Sequence, residues 1–537
     1  MQIREHLSLT RPAVIVHPAG TRIGFAELEA RANRLAHYWR QTGLREGDTV
    51  AVVMENNEHL HAVMWAARRA GLYYVTVNTH LTAAEVGYIL TNSEAKAVIG
   101  SAAMSELCAA LDDYLPEVTP ARKLISDAEL RGWRRYPEAV ADEPDAAITD
   151  EWEGDLLQYS SGTTGRPKGI RRALPHVSPP EAPNMLTPLL TVLGITADSV
   201  YLSPAPLYHT APSMWSMCVQ ALGATTVVMQ RFDAEAALQC IERYRITHAQ
   251  FVPAMFVRML KLPEDVRKSY DLSSLQRVVH AAAPCPPEIK RQMIAWWGPI
   301  IDEFYSSSEG AGISFITADE WLDRPGSVGR SLLGTPHIVG SDGAELPQGE
   351  IGDIFYEGGT PFDYLHDRDK TDASHNEAGW ATVGDVGYLD ADGYLFLTDR
   401  RHHTIISGGV NIYPQEAENM LISHPRVADA AVFGLPDAAM GQTVAAAVET
   451  VDPADATDAF ADELLSWLRL QLAHYKCPRT ITFEAHLPRT DTGKLYKQQL
   501  IDKYSDAKQL DGARPDDASS APELDSDIRP RGPHHPR

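Results

Sequence analysis

The sequence predicts an α/β protein: a large N-terminal domain of layered α/β sheets plus a β-rich subdomain, then a small C-terminal α+β domain. Three observations lead there. At 537 residues the chain exceeds the roughly 250–300 residues that a single hydrophobic core serves. Short apolar, β-branched runs alternate with stretches of helical periodicity through its first half, the pattern of parallel sheets covered by helices. Beyond residue 343 the texture shifts to short alternating strands separated by glycine turns.

The elements follow in order. Residues 24–44 carry apolar positions at helical spacing and end at Gly43, and residues 49–54 (TVAVVM) read as a buried strand. Strand-like runs recur at 72–77, 95–99, 225–229, 248–252 and 277–281, with helix-like stretches such as 233–245 and 287–297 among them. From 343 to 397 the segments DGAELPQGEIGDIFYEG and DADGYLFLTD suggest an antiparallel region. A glycine turn, SGGVN, then precedes a helix from Pro414 to His424, a strand at 427–433 and a helix at 459–474. A boundary near Asp399–Arg401 divides the chain into domains at 1–399 and 400–510. Residues 511–537, rich in Pro, Asp and Ser, form a tail expected to be disordered.

Composition narrows the partners. Against 48 Lys and Arg stand 72 Asp and Glu, a net charge of -24. So acidic a surface repels nucleic acid and anionic lipid, and a polyanionic ligand must be held by a local cluster of donors. No apolar run reaches the ~18 residues of a membrane span, and the N-terminus lacks an apolar signal core. Five scattered cysteines without a CxxC pair indicate neither zinc nor a disulfide framework. A cytoplasmic protein is expected, and a homodimer is left open.

The most informative stretch is Tyr159-Ser160-Ser161-Gly162-Thr163-Thr164-Gly165-Arg166-Pro167-Lys168-Gly169. Glycines let the backbone approach a ligand, amides and hydroxyls donate hydrogen bonds, and Lys168 adds positive charge, which together suit polyphosphate. A Walker A loop is excluded, because Pro167 stands five residues after Gly162 and Gly169 follows Lys168 where Ser or Thr is required.

With this run, the chain resembles the adenylate-forming acyl-CoA synthetases and their luciferase and peptide-synthetase relatives. Further motifs follow in that family's order: YHTAP at 208–212, AAAPCP at 281–286, YSSSEG at 305–310, TVGDVG at 382–387, DRRHHTIISGGVNIYPQEAE at 399–418 and LPRTDTGKLYK at 487–497. The likeness spans residues 20 to 500 or thereabouts.

The resemblance implies ATP, Mg²⁺ and coenzyme A as reaction partners of a carboxylic acid. It implies that Ser161, Gly162, Thr163, Thr164, Gly165 and Lys168 hold the outer phosphates, with Thr164 also catalytic, and that Glu309 binds Mg²⁺. Ala282, Ala283, Pro284, Tyr305 and Ser308 fall in the nucleotide-site motifs, with Tyr305 stacking on adenine. Asp385 and Arg400 reach the ribose, and His209 stands near the acyl carboxylate. Lys494 bridges the α-phosphate and the acid, where a cation neutralises developing charge. The C-terminal domain then rotates, withdrawing Lys494 and presenting Gly408 and Gly409 to pantetheine. Departures occur at His402 and His403, where acidic or lysine residues are common, and at Ser306, which follows the motif tyrosine in place of glycine. Two imidazoles at the hinge would make domain alternation pH-sensitive near their ordinary pKa of ~6.5.

By likeness, 211–217, 251–256, 281–283 and 306–312 line the acyl tunnel. Met214, Trp215, Met255 and Phe256 there favour a hydrophobic acid, fatty or ring-bearing as in a steroid side chain. The rival functions are an acyl-AMP ligase that loads a separate carrier protein, a luciferase-like oxygenase and a catalytically silent adenylate-binding scaffold.

Overall fold

The structure, a computed structural model, describes residues 2–160, 167–182, 184–400, 403–408, 410–437, 440–489 and 495–511. Two sheets dominate the N-terminal domain. In a six-stranded sheet the neighbours Arg134–Tyr136, Lys123–Ser126, Ala95–Ser101, Thr49–Val53, Tyr73–Thr76 and Asp155–Leu156 are all parallel. Strand Thr49–Val53 is buried along its whole length, which is why it reads as an unbroken apolar run.

The second sheet has 13 strands. Its parallel part comprises Pro12–His17, Thr225–Met229, Val200–Ser203, His248–Phe251, Arg277–His280 and Ile301–Ser306. From Ile301–Ser306 the pairing turns antiparallel through Ile313–Ile316, Ser327–Leu333, Leu395–Arg400, Asp385–Leu389, Gly352–Glu357 and Thr335–Val339. The β-rich subdomain is therefore hydrogen-bonded onto the parallel sheet as one continuous surface. Three short strands, Asp363–Tyr364, Lys168–Arg171 and Gln158–Ser160, form a separate antiparallel patch.

Helices cover these sheets as the periodicity requires. Helix Phe25–Gln41 buries Phe25, Leu28, Ala32, Leu35, Ala36 and Trp39 on one stripe. It stops where Gly43 adopts φ 92° and Leu44 donates back to the Trp39 carbonyl, a left-handed cap that glycine takes without a Cβ clash. Helices Ala234–Tyr244 and Pro287–Trp297 match the predicted stretches closely, whereas the one expected at 459–474 ends earlier, as Asp458–Arg469.

The smaller C-terminal domain has a five-stranded sheet built on the long hairpin Val427–Asp437 and Gly441–Thr450, with helices Pro414–Ser423 and Asp458–Arg469 in its core. Among the described residues no helix is long and apolar enough to cross a membrane. All five cysteines are free and buried.

Candidate active site

A cavity of about 680 Å³ opens where parallel strands of both large sheets end. Thr76 ends strand Tyr73–Thr76 and Asn78 follows it, and Ala205 and Tyr208 follow Val200–Ser203. Val252 follows His248–Phe251, Ala281 and Ala282 follow Arg277–His280, and Ser307 to Glu309 follow Ile301–Ser306. Carboxyl ends of parallel strands are where open α/β sheets leave a crevice, because successive connections diverge there.

One end of the cavity is charged. Strand Lys168–Arg171 pairs with Asp363–Tyr364, setting Ile170 opposite Tyr364. The Tyr364 hydroxyl donates to Glu309 Oε1 at 2.8 Å. Glu309 is only 8% exposed, so this bond offsets part of the cost of burying a carboxylate. Lys370 Nζ lies 3.9 Å from the centroid of the Tyr364 ring. Burial, and next the neighbouring Lys168 ammonium, push the Lys370 pKa down to about 8, against the opposing pull of Glu309 and Asp367. Lys168, Lys370, Glu309 and Tyr364 all line the cavity. Lys370 was not anticipated from the sequence.

The nucleoside candidates lie beside this end. Tyr305 donates through its hydroxyl to Asp385 Oδ2 at 2.7 Å, and Asp385 is buried at 7% exposure. The motif tyrosine and motif aspartate, 80 residues apart in sequence, are thus direct partners. Thr382, Val383 and Gly384, just before Asp385, line the cavity. Asp385 stands opposite Arg400 across two antiparallel strands, which places the Arg400 backbone there. Ala282 lines the cavity with φ 76°, a left-handed conformation that costs a Cβ-bearing residue on the order of 1–3 kcal/mol and clusters at functional sites. Ala283 is half-buried and Pro284 exposed on the same loop.

Ser308 and Thr210 face each other, with hydroxyl oxygens 2.9 Å apart. Thr210 begins helix Thr210–Ala221, with His209 in extended conformation just before it. His209, Thr210, Ala211 and Pro212 all line the cavity, so the helix opens onto it with its N-terminal amide end, which favours anions.

The other end is apolar and aromatic. Met214, Trp215, Phe251, Phe304 and Ile313 line it. The Trp215 and Phe304 rings are 5.7 Å apart, and Tyr201 stacks behind Trp215 at 6.3 Å. Two expected lining residues lie elsewhere. Met255 and Phe256, 3% and 0% exposed, pack into the core with Trp321 and Met293. The first turn of helix Pro253–Leu260 directs them behind the strand, a choice of side that a local window cannot reveal. Phe304, Ile313, Met185 and Leu186 supply cavity wall from outside the expected windows. Arg172 also lines the cavity, neutralised by bonds of 2.8 and 3.0 Å to Asp155. Ser306 lines it with its hydroxyl committed to the Gly312 carbonyl at 2.9 Å, so it trims the space more than it polarises it.

Lys494, Ser161, Gly162, Thr163, Thr164, Gly165, His402 and Gly409 lie outside the described residues. Tyr496, two residues after Lys494, lines the cavity from the C-terminal domain, and its amide donates to the Pro488 carbonyl at 2.8 Å. Lys261 of the N-terminal domain donates to the carbonyls of Val427 and Ala428 at 3.3 and 3.0 Å. Gly408, at φ 58°, turns the hairpin between Ile405–Ser407 and Val410–Ile412; a Cβ there would meet the Met440 methyl at 2.5 Å. His403 approaches Asp399 at 3.5 Å.

The sequence and the fold both match known proteins. Residues 4–362 match the family model of AMP-binding enzymes, and residues 416–494 the model of the AMP-binding enzyme C-terminal domain. A feruloyl-CoA synthase from Amycolatopsis sp. is 32% identical over 92% of this chain and 96% of its own length. A long-chain-fatty-acid–CoA ligase from Mycobacterium tuberculosis is 30% identical over 90% and 93%. The o-succinylbenzoate-CoA synthetase of Bacillus subtilis, solved with its acyl-adenylate intermediate, is 26% identical with TM-score 0.77, covering 93% of this chain and 97% of that one. The chain belongs to the AMP-binding enzymes, the adenylate-forming superfamily of acyl-CoA synthetases and related AMP-forming acid–thiol ligases.

Proposed function

We propose that the protein adenylates a ring-bearing carboxylic acid with ATP and then passes the acyl group to coenzyme A. The observation that carries this reading is one cavity lined both by Lys168, Lys370 and Glu309 and by the aromatic side chains Trp215 and Phe304. Flat aromatic walls recognise rings by offset and edge contacts. The feruloyl- and succinylbenzoate-directed relatives support a ring-bearing acid; the long-chain relative supports a fatty one.

In the first step an acid carboxylate oxygen bonds to the α-phosphorus of ATP. The bond from that phosphorus to the bridging oxygen breaks, and pyrophosphate leaves with the electron pair. Both reactants are anions, so the protein's task is to position them and to neutralise charge. The acid's carboxylate lies against the amino end of helix Thr210–Ala221, beside His209. Asp385, Arg400, Tyr305 and the Ala282–Pro284 loop hold the nucleoside. Residues 161–168 grip the outer phosphates, and Lys494 approaches the α-phosphate, as the position of Tyr496 supports. Glu309 fits Mg²⁺: it is a buried oxygen donor oriented by Tyr364, with acceptor capacity beyond that one bond. When bound, the ion neutralises phosphate charge.

In the second step the C-terminal unit, residues 400–510, turns about the 399–400 junction and replaces Lys494 with the Gly408–Gly409 turn. The thiolate of coenzyme A attacks the acyl carbonyl and AMP leaves. The free, buried cysteines suit a reducing compartment such as the cytoplasm.

The test is pyrophosphate and AMP release across aryl, medium-chain and long-chain acids, with and without coenzyme A. Aryl acids are expected to give the highest kcat/KM and a thioester product. Higher values with long-chain acids would overturn the ring-bearing assignment. Adenylate that stalls with coenzyme A present would indicate a carrier-loading ligase, and no AMP with any acid a silent scaffold.

A further inference from the structure

We propose that Lys370 pairs with Lys168 to grip the β- and γ-phosphates of ATP and the pyrophosphate formed from them. The inference rests on the adenylation reading and adds a residue that the phosphate loop does not contain.

Helix Arg368–Ala373 begins at Asp367, whose carboxylate accepts from the Lys370 amide at 3.1 Å. The preceding strand Asp363–Tyr364 is laced onto Lys168–Arg171, so the two lysines, 202 positions apart by number (370 − 168), face one cavity. Both lysines line that cavity, and the Lys168 ammonium is near enough to push the Lys370 pKa down. Like charges held so close repel, and an anion placed between them relieves the repulsion and accepts hydrogen bonds from both.

A lysine with a purely structural role would close an ion pair or lie out in solvent. Among the described residues Lys370 closes no ion pair, and it is half-buried, with its ammonium over the Tyr364 ring face at 3.9 Å. Glu309 and Asp367 act on it through charge alone. Tyr364 in turn donates to Glu309, so one phenol orients both the second cation and the candidate Mg²⁺ carboxylate. A ring face attracts an ammonium without consuming its hydrogens, which leaves them for phosphate oxygens. Pyrophosphate is the leaving group of the first step, and the pair lies where that charge collects.

The experiment is calorimetric titration of the full chain with MgATP, AMP and magnesium pyrophosphate, for the wild type, Lys370→Ala and Lys370→Arg. One charge-assisted contact corresponds to roughly ten- to a hundredfold in affinity. Lys370→Ala is expected to weaken ATP and pyrophosphate by that factor and to leave AMP within about twofold, with Lys370→Arg restoring most of the loss. Retained AMP affinity also reports that the variant is folded. Unchanged ATP and pyrophosphate affinity in Lys370→Ala, or equal weakening of AMP in both variants, would overturn the pairing. Wild-type protein that binds neither ATP nor AMP would sink the adenylation reading itself, an outcome separate from the other two.

Discussion

The two ends of the cavity are built by different means. The apolar end is a packed wall: Trp215 and Phe304 stand on a helix and a strand, belong to one buried cluster, and are 1% and 6% exposed. The charged end is assembled from a two-residue strand, a six-residue helix and the loop carrying Glu309, joined by single hydrogen bonds and a ring contact. Packing defines a shape and therefore selects among acids, whereas oriented charges act on whatever acid is present. Substitutions at the charged end should slow the chemistry without changing acid preference, and those at the apolar end should do the reverse.

The largest effect is expected from Lys494→Ala. Loss of one preorganised cation costs about 10²–10³ in rate, so pyrophosphate release should nearly vanish while thioester formation from supplied acyl-AMP persists. Equal loss of both steps would break the proposed division of labour between the two domain positions. Glu309→Gln should lower the adenylation kcat by about a hundredfold at every acid tested. A change in the ranking of acids would show that the two ends are not independent.

Trp215→Phe should alter kcat/KM among acids by about ten- to a hundredfold, the scale of a few methylenes of pocket volume, with KM for ATP unchanged. A uniform fall across the panel would place Trp215 in the general fold instead of in selection.

Beneath the cavity floor lies a buried triad: Lys290 Nζ is 2.8 Å, and His280 Nε2 3.3 Å, from Glu303 Oε2. Burial alone would raise the Glu303 pKa, but His280 and Lys290 outweigh it and hold the carboxyl at about 2. Burial pushes the His280 pKa down, against the opposing pull of Glu303. A carboxyl depressed in the folded state contributes stability above its unfolded pKa of about 4.3, and that contribution is lost as pH falls toward about 2. Thermal melts of the wild type should therefore weaken across that window, and Glu303→Gln should flatten the slope. Lys290→Met should cost about 3–5 kcal/mol near neutral pH by leaving a buried carboxylate unpaired.

The smallest effect is expected from Lys261→Ala, which removes two donor contacts to the C-terminal domain. Adenylation should fall by about three- to tenfold while thioester formation from acyl-AMP is unaltered. A slower second step would mean that Lys261 also serves the alternate domain position.

Residue order alone determined a good deal. The apolar run at 49–54 announced a parallel strand because strands covered on both faces have no polar side to show. The glycine- and hydroxyl-rich run at 160–169 points to the proposed phosphate site through residue types that few other tasks require together. Tertiary structure decided the rest. Lys370, in Arg-Asp-Lys-Thr-Asp, reads as part of a solvated charged turn until a short strand pairing carries it to Lys168. Met255 and Phe256 read as tunnel wall, yet the side of the sheet on which their helix packs sends them into the core. The bond between Tyr305 and Asp385 likewise depends on where two distant strands end. Local sequence carries the chemistry of a group and the period of its element; which groups meet is fixed by long-range pairing and packing, and no single window of sequence contains that.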